Sequence, residues 1–321
     1  MTVQAVHVLA TPGLGGVAET AFAPLVARAL AAEIAPDFGF RDRTAEAIYR
    51  SLQPELAPHR GPRPAMLAMI ATTWVIDQIV GSFTSRHPHA QIVDLGAGLS
   101  TRFQRIDNGM LTWIDVDLPD IVSLRETLFP FCDRRRMVGV DVGTADWIER
   151  LELRRAPTLV VAEGLFAYAS PATMTTVLAD LSAATGRRTE ILFDFTNRLL
   201  ARRLSLRAAG TATGGPVRQG VRRHRDLVRD GWQLMRIHPV YEAMGLPYSL
   251  LGLALRRLTR CCPHGVAHLV CTSGPSGSRG DEAAEGAARP SPTDVPSPAA
   301  APPGATAVDG GPQPRPSRAL R

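Results

Sequence analysis

The chain has 321 residues, 45% of them hydrophobic, which is enough for one large core or a core with a small cap. Its net charge of +6 comes from 36 basic residues that are all arginine, and its four cysteines, two of them adjacent at Cys261-Cys262, make no disulfide framework. The opening Met1-Thr2-Val3-Gln4 has no basic targeting region, and Leu250–Leu255, the longest late apolar run, is far short of a membrane span. A cytoplasmic, reduced protein with no membrane partner is the expectation.

In chain order, residues around Ala18–Ala31 and Asp42–Leu52 show helical spacing, and Gly61-Pro62-Arg63-Pro64 punctuates before a longer helix. Met69, Ile76, Ile79, Val80 and Phe83 mark one face of that helix, and Thr72 points the same way. Ser85-Arg86-His87-Pro88-His89 ends it. Five short apolar runs follow, each ending in a carboxylate: Gln91–Leu95 with Asp94, Thr112–Asp117, Met137–Asp141, Leu159–Glu163 and Glu190–Asp194. Helix-length segments separate them, which predicts buried parallel strands in a doubly wound α/β sheet. Ligands of such sheets sit beyond the carboxyl ends of the strands, where this chain keeps its acids. That crevice suits a ligand with hydroxyls and positive charge and suits a polyphosphate badly.

Thirteen arginines lie between Arg198 and Arg260, against three acids. An anion-binding face and a solvated helical surface in an arginine-biased protein are both compatible with such a run. Val266–Cys271 alternates like a final strand, which places His268 and Cys271 on opposite faces. The nearby Cys261, Cys262, His264, His268 and Cys271 lack the paired spacing of a zinc ribbon, so no metal site is expected. From about Thr272 the chain is rich in Pro, Gly, Ala and Ser, with ten of the 26 prolines, and a disordered tail over 272–321 is predicted.

The first strand opens into Gly96-Ala97-Gly98-Leu99-Ser100-Thr101, with Thr101 where a dinucleotide fingerprint has its third glycine. By itself this is an ordinary strand-to-helix turn. Asp117, nineteen residues past Gly98 at the end of the second run, stands where a carboxylate clasps the ribose of an adenosine ligand. Without phosphate machinery, S-adenosylmethionine fits better than NAD.

Asp94–Arg102, Trp113–Pro119 and Ala162–Tyr168 together resemble the leucine carboxyl methyltransferase family, and within it the bacterial polyketide O-methyltransferase branch of the tetracenomycin type. The likeness runs from about Gly15 to Cys271. It implies a class I S-adenosylmethionine-dependent methyltransferase sheet (91–195) with a helical N-terminal region (1–90) and a lid with the final strands (196–271). It also implies methyl transfer to a carboxylate or hydroxyl oxygen of a small, polyketide-like metabolite. Carried over by motif, Gly96, Ala97 and Gly98 lie under the methionine portion of the cofactor and Asp117 holds the ribose. Asp141 and Val142 meet the adenine, Glu163 sits beside the amino-acid end, and Tyr168 borders the acceptor as the catalytic candidate. Arg198 and Arg202 are candidates for binding an acceptor carboxylate. The alternative for Asp117 is a helix cap before Pro119, and for Glu163 a capping carboxylate.

Two departures stand out. The family commonly carries, in the helix before the first strand, an arginine that pairs with the cofactor's carboxylate, and here Thr72 stands there, with Arg63 and Arg43 as conceivable replacements. Ser100 stands where the family loop often has aspartate. A carboxylate acceptor needs no base, whereas a phenol wants one such as His224 or His238. The competing classes are a nucleic-acid methyltransferase, which the arginine-rich segment would serve, a non-catalytic S-adenosylmethionine-binding protein, which Thr72 favours, and a dinucleotide oxidoreductase, which the missing glycine disfavours.

Overall fold

A computed structural model describes residues 20–186, 189–208 and 220–273, without the side chains of 205–208. The described residues form one compact unit. The predicted tail lies outside the described residues apart from Thr272 and Ser273, as do Ala18 and Glu19 of the first predicted helix.

The N-terminal region is helical. Its first segment is broken at Leu30 into α1 (Phe22–Ala29) and α2 (Ala31–Ile34). Then come α3 (Arg43–Ser51), α4 (Gln53–Leu56) and α5 (Arg63–Arg86). Asp42 caps α3, its carboxylate accepting the Ala45 N–H at 2.9 Å. Pro64 lies in the first turn of α5, where a missing N–H costs nothing. Helix α5 is long and apolar enough to cross a membrane, yet it runs through the core, burying Met66, Ile70, Ile76, Val80 and Phe83. Met69 and Ile79 from the predicted face are only half-buried.

The sheet is built from β1 (Gln91–Leu95), β2 (Thr112–Asp117), β3 (Arg135–Gly139), β4 (Thr158–Ala162), β5 (Thr189–Thr196), β6 (Trp232–Pro239) and β7 (His264–Cys271). Between them lie α6 (Arg102–Ile106), α7 (Pro119–Leu128), α8 (Leu165–Tyr168), α9 (Pro171–Thr185), α10 (Arg198–Ala208), α11 (Val240–Ala243) and α12 (Tyr248–Thr259). The strand order is β3-β2-β1-β4-β5-β7-β6. The first five strands run parallel, and β7 is antiparallel to both β5 and β6. Strands β1 and β4 are buried along their whole length, and adjacent residues feed two separate cores. Ile92, Trp113, Leu159 and Leu192 join α5 and the N-terminal helices, while Val93, Ile114, Val160 and Ile191 pack against α9. A sheet covered on both faces explains why these runs read as continuous rather than alternating hydrophobics.

The third strand differs from its expected bounds, 137–141. It begins at Arg135, because as an edge strand it tolerates charge: Arg136 is exposed, and Arg135 lies over the rings of Phe103 and Phe129. It ends at Gly139, opposite Asp117, where β2 runs out. Strand β7 starts at His264, two residues before its predicted start, because it pairs with β5 from Glu190 down to Thr196.

Candidate active site

The chain order reverses between β1 and β4, and the glycine loop leaves β1 at that point. Gly96 and Gly98 have φ of 64° and 48°, a region that favours glycine. The Gly96 and Ala97 N–H groups donate to Val116 O at 2.8 and 3.1 Å, fastening the loop to β2. The loop carbonyls point to buried guanidiniums. Arg125 of α7 donates to Gly98 O at 2.7 Å and Ser100 O at 3.2 Å while pairing with Asp115, and Arg28 of α1 donates to Leu99 O at 2.6 Å. Asp117 accepts the Gly98 N–H at 2.6 Å on one oxygen and the Leu118 N–H at 2.7 Å on the other. Burial pushes its carboxyl above the usual range, against the pull of those two N–H groups.

A chain of ion pairs lies beneath the loop. Glu163, just past β4, accepts from Thr73 Oγ1 at 2.6 Å and pairs through its other oxygen with Arg102. Arg102 also donates to Asp77 at 2.7 Å and Asp94 at 3.2 Å. Arg105 carries the chain on to Asp77 at 2.8 Å and Asp42 at 2.6 Å, where Arg28 joins at 3.2 Å. Burial pushes the Asp94 carboxyl up to about 6 despite Arg102. Asp194, near the end of β5, accepts the Gly164 N–H at 2.6 Å and so shapes the turn after Glu163, where Gly164 has a φ of 77°. Burial raises the Asp194 carboxyl, with Glu163 acting the same way and His264 against it. Tyr168 of α8 is 37% exposed, and burial together with the Asp194 charge raises its phenol.

The remaining candidates scatter. Asp141 is exposed and accepts the Gly143 N–H at 2.8 Å, while Val142 is buried in the core. Thr72 is buried and bonds to Ala68 O and, at 2.9 Å, to Nε2 of His264 at the start of β7. Arg63 is exposed and donates to Ile34 O, and Arg43 is exposed. Arg198 and Arg202 are exposed side chains that line a cavity of about 290 Å³ with Asn197, Arg222 and Thr259. His224 accepts the Cys262 N–H at 3.0 Å. His238 lies at the level of Asp194 but on the edge strand β6, and burial lowers it to about 4. Sequence reasoning assigned no role to Arg102, Thr73 or Arg125, counted Asp194 only among the strand-end acids, and weighed His264 only for zinc. Arg102 and Asp194 stood inside quoted runs, but their partners were not legible there.

The donor set fits S-adenosylmethionine. Asp117 spends one backbone N–H on each oxygen and keeps lone pairs for vicinal hydroxyls, and Glu163 and Asp194 offer negative charge to an ammonium or sulfonium group. The two positive-φ glycines let the backbone come close to a ligand.

The sheet order, with β7 antiparallel between β5 and β6, is that of a class I S-adenosylmethionine-dependent methyltransferase fold. Residues 17–182 match the leucine carboxyl methyltransferase family, so the chain belongs to that family, whose cofactor is S-adenosylmethionine. It is 39% identical over 157 residues to the tetracenomycin polyketide synthesis O-methyltransferase of Streptomyces glaucescens, spanning 48% of this chain and 57% of that protein. Among solved structures, a putative methyltransferase from Thermobifida fusca is 13% identical with a TM-score of 0.49, covering 77% of this chain and 95% of that one. Human N-acetylserotonin methyltransferase with bound S-adenosylmethionine is 14% identical with a TM-score of 0.40, covering 72% of this chain and 59% of that one.

Proposed function

We propose that the protein is a cytoplasmic O-methyltransferase that acts on a carboxylate or acidic hydroxyl of a small, polyketide-like metabolite. The observation that carries this reading is the set of acids at the strand ends: Asp117 holds the glycine loop at Gly98, Glu163 follows β4, and Asp194 near the end of β5 holds the turn at Gly164. The similarity to a polyketide O-methyltransferase supports the acceptor class.

When bound, the cofactor supplies an electrophilic methyl on a sulfonium centre. In this reading the Gly96–Gly98 backbone lies along the methionine portion, Asp117 holds the ribose, Asp141 and Val142 border the adenine, and Glu163 receives the ammonium. Tyr168 borders the acceptor, and Arg198 and Arg202 orient its carboxylate by charge-assisted hydrogen bonds. A carboxylate arrives already charged, so positioning and exclusion of water supply most of the acceleration. Neither His224 nor His238 is placed to serve as a base by its contacts: one holds a backbone N–H, and the other lies two strands from Asp194.

The test is turnover of a panel of aromatic acids and phenols with S-adenosylmethionine, followed by mass spectrometry, beside calorimetry with S-adenosylmethionine, NAD and a DNA duplex. Methylated nucleic acid without turnover of any small acceptor would sink the proposal. Cofactor binding without any turnover would favour the non-catalytic reading.

A further inference from the structure

We infer that Arg102 is a positioning residue for cofactor binding: it grips Glu163, Asp94 and Asp77 together and so fixes the carboxylate that receives a ligand's ammonium group. The inference rests on the methyltransferase reading above and adds to it a residue and a role.

The first support is geometric. The Arg102 side chain is 1% exposed, and each of its three nitrogens faces a different carboxylate. Those carboxylates come from three elements, with Asp77 on α5, Asp94 on β1 and Glu163 beyond β4. A planar fork with fixed donor directions can satisfy three acceptors at once, whereas a lysine ammonium on a flexible stem cannot hold the same registry. Burial works against the Arg102 charge, but Glu163, Asp94 and Asp77 together hold its pKa above the ordinary value.

The second support is the charge inventory. Arg28, Arg102 and Arg105 face Asp42, Asp77, Asp94 and Glu163, so with every group ionised one anion is in excess. The excess is most accessible at Glu163, although Asp77 and Asp42 line a separate cavity of about 870 Å³ with Arg105. The Glu163 side chain is 21% exposed, against 10% for Asp77, 2% for Asp94 and 0% for Asp42. A buried cluster with an uncompensated charge is unfavourable, and a ligand cation arriving at Glu163 completes it. Thr73 holds the other Glu163 oxygen, so the carboxylate plane is set from both sides before a ligand arrives.

Residues that merely glued α5 to the loop would affect stability without acting through Glu163. The experiment therefore measures S-adenosylmethionine affinity by calorimetry for the full chain and for Arg102→Lys, Glu163→Gln and the double variant, with thermal unfolding as the control for folding. Arg102→Lys is expected to weaken binding roughly tenfold or more, and the double variant to bind no worse than Glu163→Gln alone. Additive losses in the double variant, or binding by Arg102→Lys within about twofold of the wild type, would overturn the inference. If Arg102→Lys does not fold, Asp77→Asn tests the same point, because it loosens Arg102, along with Arg105, and leaves the Glu163 pair in place. It should weaken binding about three- to fivefold, and unchanged affinity would overturn the inference. A wild-type protein that binds no S-adenosylmethionine overturns the cofactor reading and this inference with it. Additivity on a wild type that does bind overturns this inference alone.

Discussion

Two sets of arginines divide this molecule. Arg28, Arg102 and Arg125 lie under the glycine loop, almost wholly buried, and each bonds a carboxylate together with either a loop carbonyl or a second acid. Arg198, Arg202, Arg203, Arg222, Arg223 and Arg225 lie in the arginine-rich segment and are exposed. The second set dominates the sequence by number, and the first dominates the site by consequence. A charge in water is solvated whether or not it is paired, and pairs there contribute about 0–1 kcal/mol. A buried charge must be matched by its neighbours, so its position is dictated.

The sharpest way to break the comparison is Arg125→Met. It removes the guanidinium from three loop carbonyls and leaves buried Asp115 with only the Trp113 indole N–H. A loss of about 3–5 kcal/mol in urea unfolding is expected. A loss under about 1 kcal/mol would place Arg125 with the surface set.

The next largest effect is a pH slope. The Asp94 carboxyl is raised to about 6 from an ordinary 3.8, so the folded chain holds that proton more tightly than the unfolded one. The resulting stability is fully present below about pH 4 and is lost as the pH rises through about 6, to the extent of about 3 kcal/mol. Asp94→Asn should lack this slope between pH 4 and 6. Parallel stability curves for the two proteins would show that Arg102 keeps Asp94 ionised throughout.

Asp117→Ala comes third. It removes the acceptor proposed for the ribose, and a loss of about 1.5–3 kcal/mol in S-adenosylmethionine binding is expected by calorimetry. Unchanged affinity would leave Asp117 with only its bonds to Gly98 and Leu118.

The smallest effect belongs to the exposed set. Arg198→Ala and Arg202→Ala should change stability by less than about 0.5 kcal/mol. Each should raise the KM for a carboxylate acceptor several-fold and leave cofactor affinity alone. A fall in melting temperature comparable to that of Arg125→Met would erase the distinction between the sets.

How far the site was legible differs from residue to residue. Gly96, Gly98 and Asp117 could be read directly, because a loop with positive φ after a buried strand and an acid nineteen residues on are local signals. The adenine role of Asp141 came from the family resemblance alone, and its carboxylate accepts the Gly143 N–H in its own turn. Thr72 was correctly aimed toward the sheet, yet its partner His264 stands 192 residues away. The β3 edge also escaped, because Arg135 and Arg136 break the apolar pattern that an edge strand does not require.

What the sequence determined by itself was the layered α/β sheet, the glycine loop and the row of acids at the strand ends. Each of these is written in spacing over a few residues, where backbone sterics and periodic burial act. What only the tertiary structure decided was which arginine meets which acid. Arg102 finds Asp77 at a separation of 25 residues, Asp94 at 8 and Glu163 at 61. Such partners are selected by desolvation: a guanidinium driven into the core is stable only where folding has already assembled carboxylates from separate elements, and nothing local in the chain records that meeting.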